Sequence, residues 1–463
     1  MKQKLHVSRL ALGLGLVAAA AAVALVSASA SSAAAPATHR INVHPQISGP
    51  QRMSSNSRTF SCQGVPIDGS QGARCYTPGQ IQQAYGYSGL FASGVDGRGK
   101  TIVIIDAYSS PTIASDLKDF DRDMGLPDAS FTITPVGNVP PFDINSDNQV
   151  GWVGETSLDV QWAHAMAPRA AINLVEAASN SDADIFAATK YAIDHRLGDV
   201  ISQSFGEAEV CVDPAMLREE TALFAKAAKE GMTLFASTGD SGASQLSCDG
   251  TSALFSAPYP ASDPSVTGVG GTTLNADPVT GSYIGETAWT EPLMGCNFPS
   301  IDFNDINCSG GGFSTLFARP GWQKPLVRSG SGRGVPDVAY DAGVNGGVLV
   351  HIGVFLVAFG FGQDDPLYFT FGGTSAGSPQ WAGLTADADQ MAKRDLGSVN
   401  DELYKLAHAP RVHGGTAFHD VTTGNNRVAE IDGQGYDAGP GWDPVTGLGT
   451  PNAAVLLPAL AKH

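Results

Sequence analysis

The chain has 463 residues and a net charge of −18; 43% of its residues are apolar, 16% are charged and 55 are glycine. That content supplies a sizeable core and excludes an intrinsically disordered chain. So acidic a chain lacks the basic surface that nucleic-acid binding needs, and no nucleic-acid partner is expected.

Lys2, Lys4 and Arg9 precede an apolar run over 10–26, and small residues follow around Ala30 and Ala35. This is the pattern of a secretory signal peptide, assigned to 1–35. The run is Ala-rich and short for a membrane span. A secreted, extracellular protein is expected, with no stable membrane association after cleavage. Losing those three cations would move the net charge from −18 to −21. Six cysteines remain, at 62, 75, 211, 248, 296 and 308. An even number in a secreted chain points to disulfides. Nearest-neighbour pairing (62–75, 211–248, 296–308) is the simplest arrangement. No CxxC or HxxxH pair suggests a zinc site.

Residues 36–60 are polar and lack apolar periodicity, so 36–75 reads as a flexible leader. The remainder, 76–463, reads as one domain. TIVIIDAY (101–108) is a β-branched run typical of a buried strand. SPTIASDLKDFDRDMG reads as a helix. GETSLDVQWAHAMAP (154–168) reads as a helix ended by Pro168. AAINLVEA is a strand, SDADIFAATKYAIDHRLG a helix and DVISQSFG a strand. PAMLREETALFAKAAKEG is a helix and MTLFASTGD a strand. Continuous apolar strands alternating with helices predict an α/β fold with a mostly parallel sheet flanked by helices. In such sheets function gathers at the carboxyl ends of strands. VLVHIGVFLVAFGF (348–361) is apolar but too short to cross a bilayer, and reads as a buried strand or hairpin. FTFGG is a strand and glycine turn, followed by the helix SPQWAGLTADADQMAK.

Two serines compete as nucleophile. TGDSGA (238–243) resembles the surroundings of a chymotrypsin-type serine, but those enzymes are antiparallel barrels with a His base, which the parallel pattern contradicts. Ser375, in GGTSAGSP, sits just before a helix, where backbone N–H groups and the helix dipole favour negative charge developing on oxygen. GTSAGSP resembles the nucleophile motif of subtilisin-like proteases. Asp106, in VIIDAY, could serve as the Asp of such an enzyme, but no HGT-type His is present. Glu155 and Asp159 offer another base. They lie at i and i+4, on one helix face. Two carboxyls held together share a proton, with one pKa raised, and such a pair can act as a base in acid, where His is protonated. Leu158, Val160 and Trp162 imply that this helix is buried. His164 reads as structural or exposed.

Together these stretches resemble the sedolisins, the serine-carboxyl peptidases. ETSLDVQWAHAMAP is similar to their Glu-x-x-x-Asp helix, STGDSGA to their oxyanion-hole loop and GGTSAGSP to their nucleophile turn. FHDVTTGNN with GYDAGPGWDPVTGLGTPN is similar to their C-terminal calcium site. The resemblance spans roughly 76–455 and implies a subtilisin-like fold. It implies Ser375 as nucleophile, Glu155 as general base, Asp159 as the residue that holds Glu155, and a protonated Asp240 in the oxyanion hole. It also implies one structural Ca2+, bound by the side chains of Asp420 and Asp443 and the carbonyls of Val421, Gly439 and Gly441. Asp- and Gly-rich turns supply the oxygen ligands that calcium takes. The implied activity is acid-active hydrolysis of peptides or proteins, by endopeptidase or tripeptidyl-peptidase action, in a monomer. The alternative is a catalytically silent relative that binds peptides. Asp263 and Asp337 are assigned no catalytic role. Sedolisins usually carry a long N-terminal prodomain; here the resemblance begins near Tyr76, so a prodomain of that kind is not expected.

Overall fold

The computed structural model describes residues 39–41, 43, 46–291, 307–409 and 415–462. Its centre is an eight-stranded sheet. The strands are β1 (Thr101–Ala107), β2 (Ser130–Val136), β3 (Ala171–Ala177), β4 (Val200–Gln203), β5 (Thr233–Ser237), β6 (Thr267–Ala276), β7 (Tyr283–Ala288) and β8 (Val338–Asp341). The order is β7-β6-β5-β4-β1-β3-β2, with β8 also paired to β6. All pairings are parallel except β6 with β7. β1 is buried almost throughout because both faces of the sheet are covered. Ile102 and Ile104 enter the core on one face, Val103 and Ile105 the core on the other, as the two-residue period of a strand requires.

Helices α1 (Ile113–Met124), α2 (Asp147–Met166), α3 (Asp182–Asp194), α4 (Pro214–Lys229), α5 (Gly353–Ala358) and α6 (Gly377–Ala392) connect or cover these strands. The Ser146 hydroxyl caps α2 by accepting from the Gln149 N–H. Every residue of α2 from Trp152 to Met166 is buried. A helix enclosed on all sides needs no polar stripe, which is why this segment shows no amphipathic period. It is clipped in place by polar contacts. The Gln161 amide pairs with both backbone groups of His351, at 2.7 and 2.9 Å. The Trp162 indole N–H donates to the Leu349 carbonyl at 3.0 Å. α6 presses against α2 so closely that a Cβ at Gly383 would lie 2.8 Å from that of Met166. Asp337 proves to be framework: it forms a buried ion pair with Arg333 at 2.7 Å and accepts the Gly268 N–H.

A second sheet runs Gln46–Arg52, Leu367–Gly372, Gly347–Val350, Cys75–Tyr76. Part of the stretch expected as a flexible leader is therefore an ordered strand. Its alternation of half-buried and exposed residues is that of an edge strand with one face in solvent, and its polar composition follows from that. The run 348–361 is strand only at its start. After His351, whose buried ring bonds the Leu367 and Gln363 carbonyls, it turns into the short helix α5, and Val357, Phe359 and Phe361 are exposed. Disulfides Cys62–Cys75 and Cys211–Cys248 form as expected. Cys308 is disulfide-bonded too; Cys296 lies outside the described residues, as does the signal-like segment 1–35. No helix among the described residues is long and apolar enough to cross a membrane.

Candidate active site

The parallel sheet delivers three groups from its carboxyl edge: Asp106, the next-to-last residue of β1, Ser204 just past β4, and Asp240 just past β5. Helix α2 contributes Glu155 and Asp159 from inside the molecule, both fully buried. Ser375 sits in the 3-10 turn Thr374–Ala376 that opens α6.

Ser375 is half-buried. Its hydroxyl faces Glu155, close enough to oppose the rise of that carboxyl's pKa, and lies 3.4 Å from the Ser204 carbonyl. Burial raises the Glu155 pKa well above the usual carboxylate range; the Ser375 hydroxyl opposes this, and the charges of Asp106 and Asp240 add to it. Asp159 is raised likewise, first by burial, then by Asp106 and Glu155. The Ser204 hydroxyl donates to Asp159 Oδ1 at 2.9 Å, which steadies the charged form. Asp106 is pushed up to about 7 by burial, with Glu176 adding to the rise; Glu176 lies opposite it on β3. Three buried carboxyls thus share fewer than three charges. The one next to the hydroxyl is placed to take its proton.

Asp240 is oriented by one oxygen. Its Oδ1 accepts both the N–H and the hydroxyl of Thr374, each at 2.8 Å. Its Oδ2 faces Gly373, where a Cβ would lie 2.6 Å away. Gly373 also has φ +102°, a left-handed backbone that glycine tolerates. With Oδ1 saturated by donors, a proton on Asp240 belongs on Oδ2, and burial raises the pKa to favour it. The loop is held from behind, where the Cys308 N–H donates to the Asp240 carbonyl and the Gly310 N–H to the Gly239 carbonyl. Ser241 contributes backbone only, bridging Cys308 and accepting from Ser244 through its carbonyl. Of the buried histidines among the described residues, His164 bonds the Pro127 carbonyl and pairs with Asp121, and His351 is satisfied by backbone carbonyls.

The C-terminal residues singled out from sequence also converge. Asp420 accepts the Gly441 N–H at 2.9 Å, and Asp443 accepts the Gly439 N–H at 3.0 Å. The Thr446 hydroxyl lies 3.4 Å from the Val421 carbonyl and 3.2 Å from Asp443 Oδ2. Two carboxylates and backbone carbonyls share one loop, and neither Asp forms an ion pair among the described residues. Asp420 is exposed, and Asp443 also accepts the Val445 and Thr446 N–H groups, each at 2.9 Å. This oxygen-only, anionic donor set fits a hard cation.

No family model matches the chain. It is 35% identical to kumamolisin from Bacillus sp. (strain MN-32) over 399 residues, covering 83% of this chain and 63% of kumamolisin. It is 31% identical to sedolisin from Pseudomonas sp. (strain 101) over 379 residues, covering 76% of this chain and 59% of sedolisin. The structure of Pseudomonas sedolisin, a serine-carboxyl proteinase complexed with two molecules of pseudo-iodotyrostatin, superposes with a TM-score of 0.70 at 28% identity. It covers 84% of this chain and 99% of that one.

The chain belongs to the sedolisin family. It spans less than two thirds of the length of the curated relatives it matches. Its fold is the α/β, subtilisin-like sedolisin fold. Sequence reasoning brought Glu155, Asp159, Asp240 and Ser375 to this family and did not single out Ser204 or Thr374. Ser204 stands in SQSFG directly after a strand, and a serine at that edge was the available signal. Thr374 adjoins the nucleophile, but its role appears only once Asp240 is beside it.

Proposed function

We propose that the protein is a secreted, acid-active serine-carboxyl peptidase working through an acyl-enzyme. The observation that carries the reading is a serine hydroxyl facing a buried, charge-poor carboxyl pair, with a third carboxyl presented beside the nucleophile turn. Ser375 Oγ attacks the peptide carbonyl while Glu155 takes its proton. The oxyanion forms against Asp240, whose Oδ2–H donates to it; an ionised Asp240 would repel it. Glu155 returns the proton to the leaving amine, and water then repeats the sequence on the ester. Asp159 and Ser204 hold Glu155 and its charge. The wider interior suits acid. Burial pushes Asp116 and Asp389 up to about 7 and Glu220 up to about 8. The fold keeps protons that the unfolded chain releases above roughly pH 4. Stability is therefore fullest in acid and falls as pH rises toward 7–8.

Digestion of an unfolded protein from pH 2 to 8 tests the reading. Activity confined to the acid side and abolished in Ser375→Ala is expected; an optimum above neutrality, or a fully active Ser375→Ala, would refute it. Peptide binding without cleavage would point to a silent relative instead.

The C-terminal loop is the proposed site of one structural Ca2+, held by Asp420 and Asp443 with the carbonyls of Val421, Gly439 and Gly441. When bound, the ion supplies charge neutralisation that ties these turns together. Chelation is expected to lower the melting temperature by on the order of 5 °C, and Asp443→Asn to remove that response. A melting curve indifferent to chelator and to added Ca2+ would count against the ion.

A further inference from the structure

Strand β3 carries one ionisable residue, Glu176, in an otherwise uncharged run, AINLVEA. Glu176 is only 6% exposed, and a buried carboxyl carries a desolvation cost that an apolar side chain there would avoid. No step of the proposed reaction uses it. In the parallel register it stands opposite Asp106, across strands about 4.8 Å apart. Ile102 and Ile104 precede Asp106 at the strand period, and Ile172 and Leu174 precede Glu176 in the same way. All four lie in one core with Leu158 and Trp162 of α2. Both carboxyls therefore point to the side of the sheet that α2 covers, and α2 carries Glu155 and Asp159.

These four carboxyls have no counter-ion. No cation contributes to the pKa of any of them. Asp106 Oδ1 and Oδ2, Glu155 Oε1 and Asp159 Oδ2 are buried without a hydrogen-bond partner among the described residues. The polar groups around them are neutral: the Thr156 hydroxyl near Asp106, the Ser204 hydroxyl on Asp159, the Ser375 hydroxyl facing Glu155 and the Ser110 backbone toward Glu176. On β2, the residue paired with Glu176 is Pro135, which brings no charge. The remaining carboxyl that acts on the set is Asp240, through Glu155.

Resting on the peptidase reading, we propose that Asp106 and Glu176 form a pH switch at the carboxyl edge of the sheet, which keeps the catalytic carboxyls packed in acid and opens that edge to water at neutral pH. In acid both members are protonated, and β1 and β3 present a neutral pair to α2. Burial pushes each of them up to about 7, above the ordinary carboxylate range near 4. Between those values the closed edge retains two protons that a wetted edge releases. Each pH unit therefore favours opening by about tenfold per carboxyl, or about a hundredfold for the pair. Ionised in place, the two would be like charges side by side with no cation, next to the charge that Glu155 and Asp159 share. Water entering the edge relieves that repulsion.

The test is hydrogen exchange of the full chain from pH 4 to 8, read by mass spectrometry on peptides and corrected for the intrinsic exchange rate. Protection of 104–107 and 174–177 should fall by about a hundredfold per pH unit toward neutrality, and by only about tenfold in Glu176→Gln. Strand β5 should stay protected to higher pH than either segment. Glu176→Asp, which keeps the charge, should restore the steep fall. The Gln variant should keep kcat in acid within about twofold of the unaltered chain, since Glu176 touches no reacting atom. If Glu176→Gln does not fold, Glu176→Leu, uncharged and of similar size, is read in the same way. An unchanged slope in the uncharged variant, or loss of protection in all strands together, overturns the inference. A chain that cuts no peptide at any pH overturns the peptidase reading, and the switch with it, whatever the exchange shows; an active chain with an unchanged slope overturns the switch alone.

Discussion

Glu155→Gln is expected to lower kcat by about 10²–10⁴-fold while leaving the fold intact and more tolerant of neutral pH. The amide has nearly the shape of the carboxyl and fits the same buried space. It can still meet the Ser375 hydroxyl, but it cannot take the proton. Ser375→Ala should be at least as severe, and the double variant little worse than either, because nucleophile and base act in one step. The melting temperature separates this from damage to the fold. Burial raises the Glu155 pKa in the folded chain. Above roughly pH 4 the unfolded chain ionises this group while the fold resists. Wild type therefore loses stability as pH rises through that window, and Glu155→Gln is spared this loss. Single-turnover rates together with melting curves at pH 4 and 7 check both halves. A variant that cuts normally would remove Glu155 from the mechanism, and one that melts lower at both pH values would mean that the substitution harmed packing.

Much of this arrangement was legible in the sequence because strand and helix periods survive burial. TIVIIDA and TLFAS read as buried strands, and the carboxyl edge of a parallel sheet follows from them. The Glu155–Asp159 spacing fixes a shared helix face without any fold. Other features depended on partners far along the chain. Ser204 matters because Asp159 is 45 residues away in sequence but 2.9 Å away in space. Thr374 matters because β5 ends against the turn that carries it. The leader was the hardest to read. Its composition is polar and irregular, which marks a solvated coil and an edge strand alike. Only the strand Leu367–Gly372 and the disulfide at Cys62 tell them apart. The apolar run at 348 misled for the opposite reason: it satisfies a strand for four residues and then, with no polar break, a short helix.

Asp240→Asn separates an oxyanion donor from a mere structural carboxyl. In wild type the donor exists only while Asp240 is protonated, so activity should fall on the alkaline side as that proton leaves. Burial raises its pKa, and the two Thr374 donors pull it back. The acid limb belongs to the buried Glu155–Asp159–Asp106 set, and the two limbs are properties of the coupled group. In the Asn variant the amide oxygen can take both Thr374 bonds, which leaves the NH2 facing Gly373, where the oxyanion forms. That donor persists at every pH. The expected profile keeps the acid limb and loses or shifts the alkaline one, with the acid maximum reduced by less than about tenfold. Asp240→Ala offers no donor and should lose about 10²–10³ across the acid range, where Asp240 of the wild type is protonated. The profile of kcat/KM from pH 2 to 8 for both variants is the measurement. An alkaline limb unchanged in Asn, or an Asn variant as inactive as Ala, would assign Asp240 to holding the Thr374 turn and nothing more. The distinction rests on the geometry of one carboxyl: Oδ1 is occupied by the turn, and Oδ2 is the only oxygen left to donate.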